Sequence, residues 1–135
     1  VIEEIQKDNV YYNSGNILVI DDEKVVRTII SNMLIECGYN VITASTPIEG
    51  LTLFKENKNT INLVLSDLSM PFMSGDELYK EIKSIDKNSK IILTSGFLFD
   101  KRLIELKKQY DFYFIKKPFS IQELSKIVYE VLKEK

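Results

Sequence analysis

The sequence of 135 residues contains no histidine and a single cysteine. Without histidine, the chain has no Ser-His or Cys-His catalytic pair, no imidazole ligand for a metal ion and no phosphohistidine of its own. One cysteine excludes an internal disulfide and a cysteine-ligated zinc site. A lone thiol also suits a reducing compartment, so we expect a cytoplasmic protein.

Long apolar runs and basic clusters are absent as well. No apolar run approaches the roughly 18 residues of a membrane span, and no signal peptide is visible. The 18 Lys and Arg residues nearly balance the 20 Asp and Glu residues, which gives a net charge of -2. We therefore expect one globular domain that contacts neither membranes nor nucleic acid.

The first 16 residues are predicted to be a leader or linker, followed by one domain over residues 17–135. Ile2 and Ile5 fit a short helical turn, and residues 13–16 are of types that form loops. Because the sequence opens with Val1 rather than methionine, we expect it to be a piece of a longer protein.

The remaining sequence alternates between short apolar runs and segments with helical periodicity. Apolar runs predict five strands, at residues 17–20, 41–44, 61–65, 91–93 and 112–115, and a helix is predicted after each. This alternation indicates an α/β fold, in which helices cover both faces of a parallel sheet. The pattern alone does not give the order of the strands.

Polar residues follow four of the five predicted strands. Asp21 and Asp22 follow the first strand, Asp67 the third, Thr94 the fourth and Lys117 the fifth. Because ligands of open parallel sheets bind beyond the carboxyl ends of the strands, we expect these side chains to share one rim. Three carboxylates at one rim require a cation, and all-oxygen ligation suits Mg²⁺. With a lysine nearby, this is a setting for phosphoryl chemistry on a carboxylate.

Each of these residues also has an ordinary structural interpretation. Asp22 could cap the first helix, and Asp67 could be a turn residue. Thr94 could satisfy a loose backbone donor, and Lys117 could be a solvated surface charge. The coincidence of four such positions at one rim favours the functional interpretation.

The sequence resembles the receiver domain of two-component response regulators over about residues 17–133. The resemblance rests on four motifs, which are Ile17-Leu18-Val19-Ile20-Asp21-Asp22-Glu23, Leu65-Ser66-Asp67-Leu68-Ser69-Met70-Pro71 with Gly75 beyond, Ile92-Leu93-Thr94-Ser95-Gly96 and Lys117-Pro118-Phe119. It implies a flavodoxin-like (βα)5 fold, a doubly wound five-stranded parallel sheet with strand order 2-1-3-4-5.

The resemblance also implies a phosphoacceptor and a metal site. Asp67 matches the residue that accepts the phosphoryl group. Asp21 and Asp22 match the acidic pair that holds Mg²⁺, Asp22 directly and Asp21 largely through water. Asp67 and the backbone carbonyl of Ser69 complete the implied metal site, so the side chain of Ser69 is free to vary.

Three further residues match the switching part of the family pattern. Thr94 matches the hydroxyl that moves to the phosphoryl group, and Lys117 matches the lysine that pairs with a phosphoryl oxygen. The Lys117-Pro118 bond is often cis in the family. Phe114 matches the switch aromatic, although it could equally be ordinary strand packing.

The resemblance implies a signalling role rather than an enzyme. The phosphoryl group should come from a phosphohistidine on a histidine kinase or a histidine phosphotransfer domain. The face formed by the fourth helix, fifth strand and fifth helix should then switch, and it is a candidate homodimer surface. The leader, residues 93–97 and the end after the fifth helix resemble receivers of hybrid sensor histidine kinases. The alternative is a stand-alone response regulator.

Three other classes are weighed against this interpretation. An Asp-nucleophile phosphohydrolase of the haloacid-dehalogenase type needs Asp-x-Asp after the first strand, whereas Asp21 and Asp22 are adjacent. A flavodoxin-like cofactor binder needs a phosphate-binding loop where Asp21, Asp22 and Glu23 lie. A degenerate receiver that serves only for docking would lack part of the motif, which is complete here.

Three expectations concern the region after Thr94. Gly96 should leave a phosphoryl group open to water, which predicts moderate autodephosphorylation. Phe97 and Phe99 are expected to cover the core; the alternative is that they form an exposed apolar patch on the face that receivers use for partners. The basic residues of the fourth helix are expected to form a solvated face, with a surface complementary to an acidic partner as the alternative; they are Lys101, Arg102, Lys107 and Lys108.

Overall fold

The fold is taken from a computed structural model of the chain, which describes residues 5–97 and 99–134 and omits the side chains of residues 5–7. The described part contains seven strands and five helices. In chain order they are β1 (Ile5–Lys7), β2 (Val10–Tyr12), β3 (Asn16–Ile20), α1 (Lys24–Glu36), β4 (Asn40–Ala44), α2 (Pro47–Asn57), β5 (Leu63–Asp67), α3 (Gly75–Ile85), β6 (Ile91–Ser95), α4 (Lys101–Lys107), β7 (Tyr113–Lys116) and α5 (Ile121–Lys133).

Five of the strands form one parallel sheet in the order β4-β3-β5-β6-β7. Counted from β3, this is the order 2-1-3-4-5, so the predicted α/β class and strand order are confirmed. The central strands β3, β5 and β6 are buried along nearly their whole length. Burial on both faces explains why their sequences are continuous apolar runs rather than alternating ones.

Two hydrophobic clusters lie on opposite faces of the sheet. Ile17 and Val19 of β3 face the cluster built with α1 and α5, whereas Leu18 and Ile20 face the cluster built with α2, α3 and α4. The alternation of side chains along β3 therefore anchors both layers of helices. Among the described residues, no helix has both the length and the apolar character that crossing a membrane requires.

The helices α3 and α5 each begin after a serine that caps the first turn. Ser74 and Glu77 form a capping box at the start of α3, and Ser120 and Glu123 form another at the start of α5. Each box satisfies backbone groups that the first helical turn leaves free. These caps fix where the loops after β5 and β7 end, and those loops border the carboxyl end of the sheet.

The strands β1 and β2 form an antiparallel hairpin that packs against α5. Its turn residues Asp8 and Asn9 have φ values of 54° and 62°, which these residue types tolerate. The Tyr11 amide donates to Ser125 Oγ at 3.0 Å, and Val10 is buried in the cluster shared with α1 and α5.

The sequence interpretation missed this hairpin. Ile5 lies in β1 rather than in a helical turn, while Ile2 lies outside the described residues. A three-residue strand has too short a pattern to be recognised without the helix that it packs on. The domain boundary placed at residue 17 stays a prediction.

Candidate functional site

The polar residues predicted to share a rim do meet at the carboxyl end of the sheet. Asp67 ends β5 and is in register with Thr94 of β6. Asp21 follows β3, and Lys117 follows β7. The Lys117 Nζ lies 3.0 Å from Asp21 Oδ2 and 3.2 Å from Asp67 Oδ1. The lysine thus bridges two carboxylates at the carboxyl ends of the neighbouring strands β3 and β5.

Three carboxylates converge beside this lysine. Asp21, Asp22 and Asp67 each offer one oxygen, and these oxygens all lie within 4.8 Å of one another. Asp21 and Asp67 are buried, whereas Asp22 is exposed. Three negative charges and the positive charge of Lys117 leave a local charge of about two negative units, which a divalent cation would neutralise. The all-oxygen set fits a hard cation such as Mg²⁺.

Burial shifts the pKa values of the charged residues at the rim. Loss of solvent raises the pKa of Asp67, the positive charge of Lys117 opposes this rise, and repulsion from Asp21 adds to it. Burial by itself would lower the pKa of Lys117, but its hydrogen bond to Asp21 and the charge of Asp67 raise that pKa overall. The Asp67 carboxylate is therefore held in a site where its charge is costly and a further cation would be favourable.

The Thr94 hydroxyl is buried and has no hydrogen-bond partner within the described part of the chain. Its residue is only 1% exposed. The ordinary interpretation of Thr94, that it satisfies a loose backbone donor, therefore fails. A buried hydroxyl without a partner lowers the stability of the fold by about 1–3 kcal/mol. The Thr94 hydroxyl is therefore available to donate to a further acceptor at the rim.

The loop between β5 and α3 is closed tightly around Asp67. The Gly75 amide donates to the Leu68 carbonyl at 2.8 Å. A Cβ atom at Gly75 would collide with the Asp67 carbonyl oxygen and approach the Leu68 Cα. The glycine of the sequence motif is therefore explained by the close approach of backbone to backbone next to the candidate acceptor.

Lys101, Lys107 and Lys108 are exposed, as predicted for a solvated face, whereas Arg102 is only partly exposed and contacts a neighbouring loop. Its guanidinium donates to Ser69 Oγ at 2.8 Å and to the Leu68 carbonyl at 3.3 Å. The sequence gives no local signal for this contact, because 33 or more residues separate the partners along the chain. The structure thus adds Arg102 to the residues around the loop that follows Asp67.

The aromatic residues near the rim have different environments. Phe114 is half-buried against the cluster that contains α2, α3 and α4. Phe97 and Phe99 are 73% and 87% exposed, so the expectation that they cover the core is wrong, and the exposure agrees with the alternative of an apolar surface patch. The physical reason is that α4 begins only at Lys101, and Leu103 and Leu106 fill the core beneath it. The Lys117-Pro118 bond is cis, as the resemblance implies.

Comparison with known proteins agrees with this architecture. The profile of the response regulator receiver domain matches residues 17–129. A solved receiver domain protein from Clostridium thermocellum is 36% identical, with a TM-score of 0.82, 87% of this chain covered and 94% of that chain. A solved receiver domain from the hybrid histidine kinase CckA is 29% identical, with a TM-score of 0.74, 88% of this chain covered and 100% of that chain.

A curated relative places such a domain within a longer protein. The sensor kinase CckA of Brucella abortus (strain 2308) is 30% identical over 132 residues, which are 98% of this chain and 14% of the kinase. This chain therefore spans about one seventh of the length of that relative. Since the receiver profile covers most of the chain, and the fold and strand order agree with it, the protein belongs to the response regulator receiver family, the phosphoacceptor domains of two-component signalling.

Proposed function

We propose that this domain accepts a phosphoryl group on Asp67, in a reaction that depends on Mg²⁺, from a phosphohistidine on a histidine kinase or a histidine phosphotransfer domain. The observation that carries the proposal is the contact of Lys117 with both Asp21 and Asp67 beside a cluster of three carboxylates. Positioning and charge neutralisation are what phosphoryl transfer requires of a protein.

In this proposal the Asp67 carboxylate oxygen attacks the phosphorus. The bond between phosphorus and the donor imidazole breaks, the imidazole keeps the electron pair, and an acyl phosphate forms on Asp67. Lys117, whose pKa is raised by Asp21 and Asp67 against the effect of burial, stays charged and neutralises a phosphoryl oxygen. The unpartnered hydroxyl of Thr94 donates to another phosphoryl oxygen.

Asp21, Asp22 and Asp67 would hold the metal ion, together with the backbone carbonyl of Ser69. A bound Mg²⁺ supplies Lewis-acid neutralisation of the charge on the phosphoryl oxygens. Asp21 is oriented for this role because its Oδ1 accepts the Glu23 amide at 2.9 Å while its Oδ2 contacts Lys117. The side chain is thus fixed before any ligand arrives.

Phosphorylation would change the face that α4, β7 and α5 form. Thr94 moves toward the phosphoryl group and Phe114 moves with it, which biases an existing equilibrium between two arrangements. The half-buried position of Phe114 supports this assignment, because an aromatic at a cluster edge has room to change its packing. The same face is the proposed surface for a homodimer.

The phosphohistidine donor needs a docking surface next to Asp67, and an apolar groove borders Lys117. The groove is lined by Val26, Ile29, Ile30, Met33, Pro118 and Phe119. Ile29 is 50% exposed. An exposed apolar surface beside a charged rim is typical of a protein interaction site. We propose that the donor domain rests on this groove.

The parent protein is proposed to be a cytoplasmic hybrid sensor histidine kinase, with a stand-alone response regulator as the alternative. The match to the sensor kinase CckA over 98% of this chain supports the first choice. We expect no multiple-turnover hydrolysis of phosphate monoesters. Such turnover would favour the phosphohydrolase alternative.

The direct test is labelling with acetyl phosphate, which needs no partner protein. We expect the wild-type domain to be labelled only with Mg²⁺, and Asp67→Asn to lower the labelling by at least about 100-fold. Glu23→Gln removes a neighbouring carboxylate outside the cluster and is the matched control. Equal labelling of Asp67→Asn and the wild type would refute the assignment of the acceptor.

The docking surface is tested by transfer from a phosphorylated histidine phosphotransfer domain. We expect Ile29→Lys to slow this transfer about 10-fold while labelling by acetyl phosphate is unchanged. Ile35→Lys is the matched control, because Ile35 is an exposed residue of the same helix outside the groove. Equal transfer rates for the two variants would contradict the proposed docking surface.

The lifetime of the acyl phosphate is a further expectation. Gly96 is exposed and has open space where a side chain would stand. Water should therefore reach the phosphoryl group, and we propose moderate autodephosphorylation. A half-life of many hours for the isolated domain would contradict the open site.

A further inference from the structure

The guanidinium of Arg102 crosses from α4 to the loop that carries the proposed metal ligand Ser69. Its Nη2 donates to Ser69 Oγ at 2.8 Å, and its Nη1 lies 3.3 Å from the Leu68 carbonyl. Both acceptors lie within two residues of Asp67. The contact therefore joins the first turn of α4 to the backbone immediately after the proposed phosphoacceptor.

Asp100 fixes the direction of this side chain. Arg102 Nε donates to Asp100 Oδ1 at 3.0 Å, and Nη2 donates to Asp100 Oδ2 at 2.7 Å. Asp100 also accepts the Arg102 amide and so caps α4. Hydrogen bonds to Asp100 raise the pKa of Arg102, and the charges of Asp76 and Asp67 add to this. The guanidinium is held as a planar fork with few alternative orientations.

The contact links the backbone at Leu68 to α4, and a second hydrogen bond links the same backbone to β6. On one side, the Leu68 amide donates to the Thr94 carbonyl at 2.9 Å. On the other side, the Leu68 carbonyl accepts from Arg102. The peptide groups that flank Leu68 are thus tied both to the strand that carries Thr94 and to the helix that follows it. A shift of either segment would therefore disturb a hydrogen bond of Leu68.

We propose that Arg102 is a positioning residue that holds the Leu68-Ser69 backbone beside Asp67 and couples it to the first turn of α4. The contact itself follows from the distances given above. Its effect on phosphorylation rests on the proposed function. The contact gives the Ser69 side chain a role where the family resemblance implied only its carbonyl. Arg102 acts through Ser69 and Leu68 and does not itself touch the reacting atoms.

Hydrogen exchange of the metal-free, unmodified domain tests the coupling independently of phosphorylation. We expect Arg102→Gln to raise amide exchange at least about 3-fold in both residues 68–74 and residues 99–104. Lys101→Gln removes an adjacent exposed charge that makes no hydrogen bond or ion pair to the loop among the described residues, and it should leave both segments unchanged. Faster exchange in α4 alone would overturn the proposal, because a local cap would explain it.

A double-mutant cycle sharpens this test. Ser69→Ala removes the hydroxyl that accepts from Arg102 while keeping the backbone carbonyl. If the two side chains act together, Ser69→Ala combined with Arg102→Gln should change exchange in residues 99–104 by less than the product of the single effects. Strictly independent effects of the two substitutions would contradict a direct link between them.

Magnesium affinity, measured by calorimetry, gives the functional consequence. We expect Arg102→Lys, which keeps the charge but cannot reproduce the planar fork, to weaken Mg²⁺ binding about 10-fold. Arg102→Gln also removes a positive charge that repels the metal ion, so the loss of affinity in that variant should be smaller. Unchanged Mg²⁺ affinity in Arg102→Lys would refute the positioning role. Failure of the wild type to bind Mg²⁺, with the exchange coupling intact, would instead refute the proposed function and leave the mechanical link standing.

Discussion

The two ends of the parallel sheet differ in the charge, burial and hydrogen bonding of their polar side chains. At the amino end, the polar groups around Asn16 are neutral and partnered. Asn16 Nδ2 donates to the Thr60 carbonyl at 2.9 Å, and Asn16 Oδ1 accepts from Asn40 Nδ2 at 3.1 Å. The Asn16 amide donates to Asn62 Oδ1 at 2.7 Å. These bonds tie three strands and their loops together.

At the carboxyl end, Asp21 and Asp67 are buried carboxylates and Thr94 carries a buried hydroxyl. The Thr94 hydroxyl has no partner within the described residues, and burial raises the pKa of Asp67. Phe72, at the same end, has a φ of 72° and is fully exposed. The positive φ values near the amino end belong to Gly15 and Gly38, which adopt them easily. The contrast indicates that the amino end stabilises the fold while the carboxyl end is arranged for a ligand.

The largest expected effect on stability and labelling comes from a Gly→Ala substitution at each end of the sheet. Gly75→Ala would force a methyl group against the Asp67 carbonyl, and Gly38→Ala would force one against the Asn13 carbonyl. Each should lower the free energy of unfolding by about 1–3 kcal/mol. Only Gly75→Ala should also slow acetyl phosphate labelling of the folded domain, by about 10-fold or more, because it displaces Asp67.

The check is urea denaturation together with labelling rates at a temperature where both variants are folded. If Gly38→Ala slowed labelling as much as Gly75→Ala, the division of roles between the two ends would be wrong. If neither variant lost stability, the close backbone approaches would be wrong.

A second pair of substitutions should change stability in opposite directions. Asp67→Asn removes a charge that is costly in its buried site, and Lys117 keeps Asp21 as a partner, so we expect a gain of about 1 kcal/mol at pH 7. Asn16→Ala removes two hydrogen bonds at the amino end and should cost about 1 kcal/mol. Denaturant titrations of both variants measure these changes.

The pH dependence of the stability difference between Asp67→Asn and the wild type is the control for this explanation. Because the pKa of Asp67 is raised in the fold, ionisation of Asp67 destabilises the wild type as pH rises above the usual carboxyl range. The advantage of Asp67→Asn should therefore shrink as pH falls toward that range, where the wild-type carboxyl becomes protonated. An advantage that stayed constant or grew on acidification would contradict the electrostatic explanation.

The smallest expected effect concerns the backbone strain at Phe72. The Met73 amide donates to the Pro71 carbonyl at 2.8 Å, so Phe72 lies at the centre of a tight turn with positive φ. Asparagine tolerates this conformation better, and Phe72→Asn should raise the free energy of unfolding by about 0.5–1 kcal/mol. Phe97→Asn, at an exposed phenylalanine whose φ is not positive, should change the free energy of unfolding little. Equal gains for the two variants would mean that loss of an exposed apolar side chain, and not relief of backbone strain, causes them.

The fold and the rim were largely predictable from sequence. Buried parallel strands are continuous apolar runs, so β3, β5 and β6 were found. Asp67 and Thr94 could be placed together because the carboxyl ends of parallel strands meet at one edge. The resemblance to receivers then supplied the strand order, which the apolar pattern leaves open.

Other features depend on tertiary contacts that no local pattern contains. Arg102 contacts Ser69 only because α4 begins at Lys101 and points this side chain back over the loop. The β1–β2 hairpin is recognisable only from its packing on α5. Phe97 and Phe99 are apolar, yet the length of the segment before α4 keeps them outside the core.

The central claim is that an acyl phosphate forms on Asp67 when Mg²⁺ is present. Borohydride reduction of the acetyl phosphate-treated domain converts an aspartyl phosphate to homoserine, which peptide mass spectrometry locates. We predict homoserine at position 67 with Mg²⁺ and none when the metal is chelated. Homoserine at Asp22 or elsewhere in place of position 67, equal modification without Mg²⁺, or no modification under either condition would contradict the account.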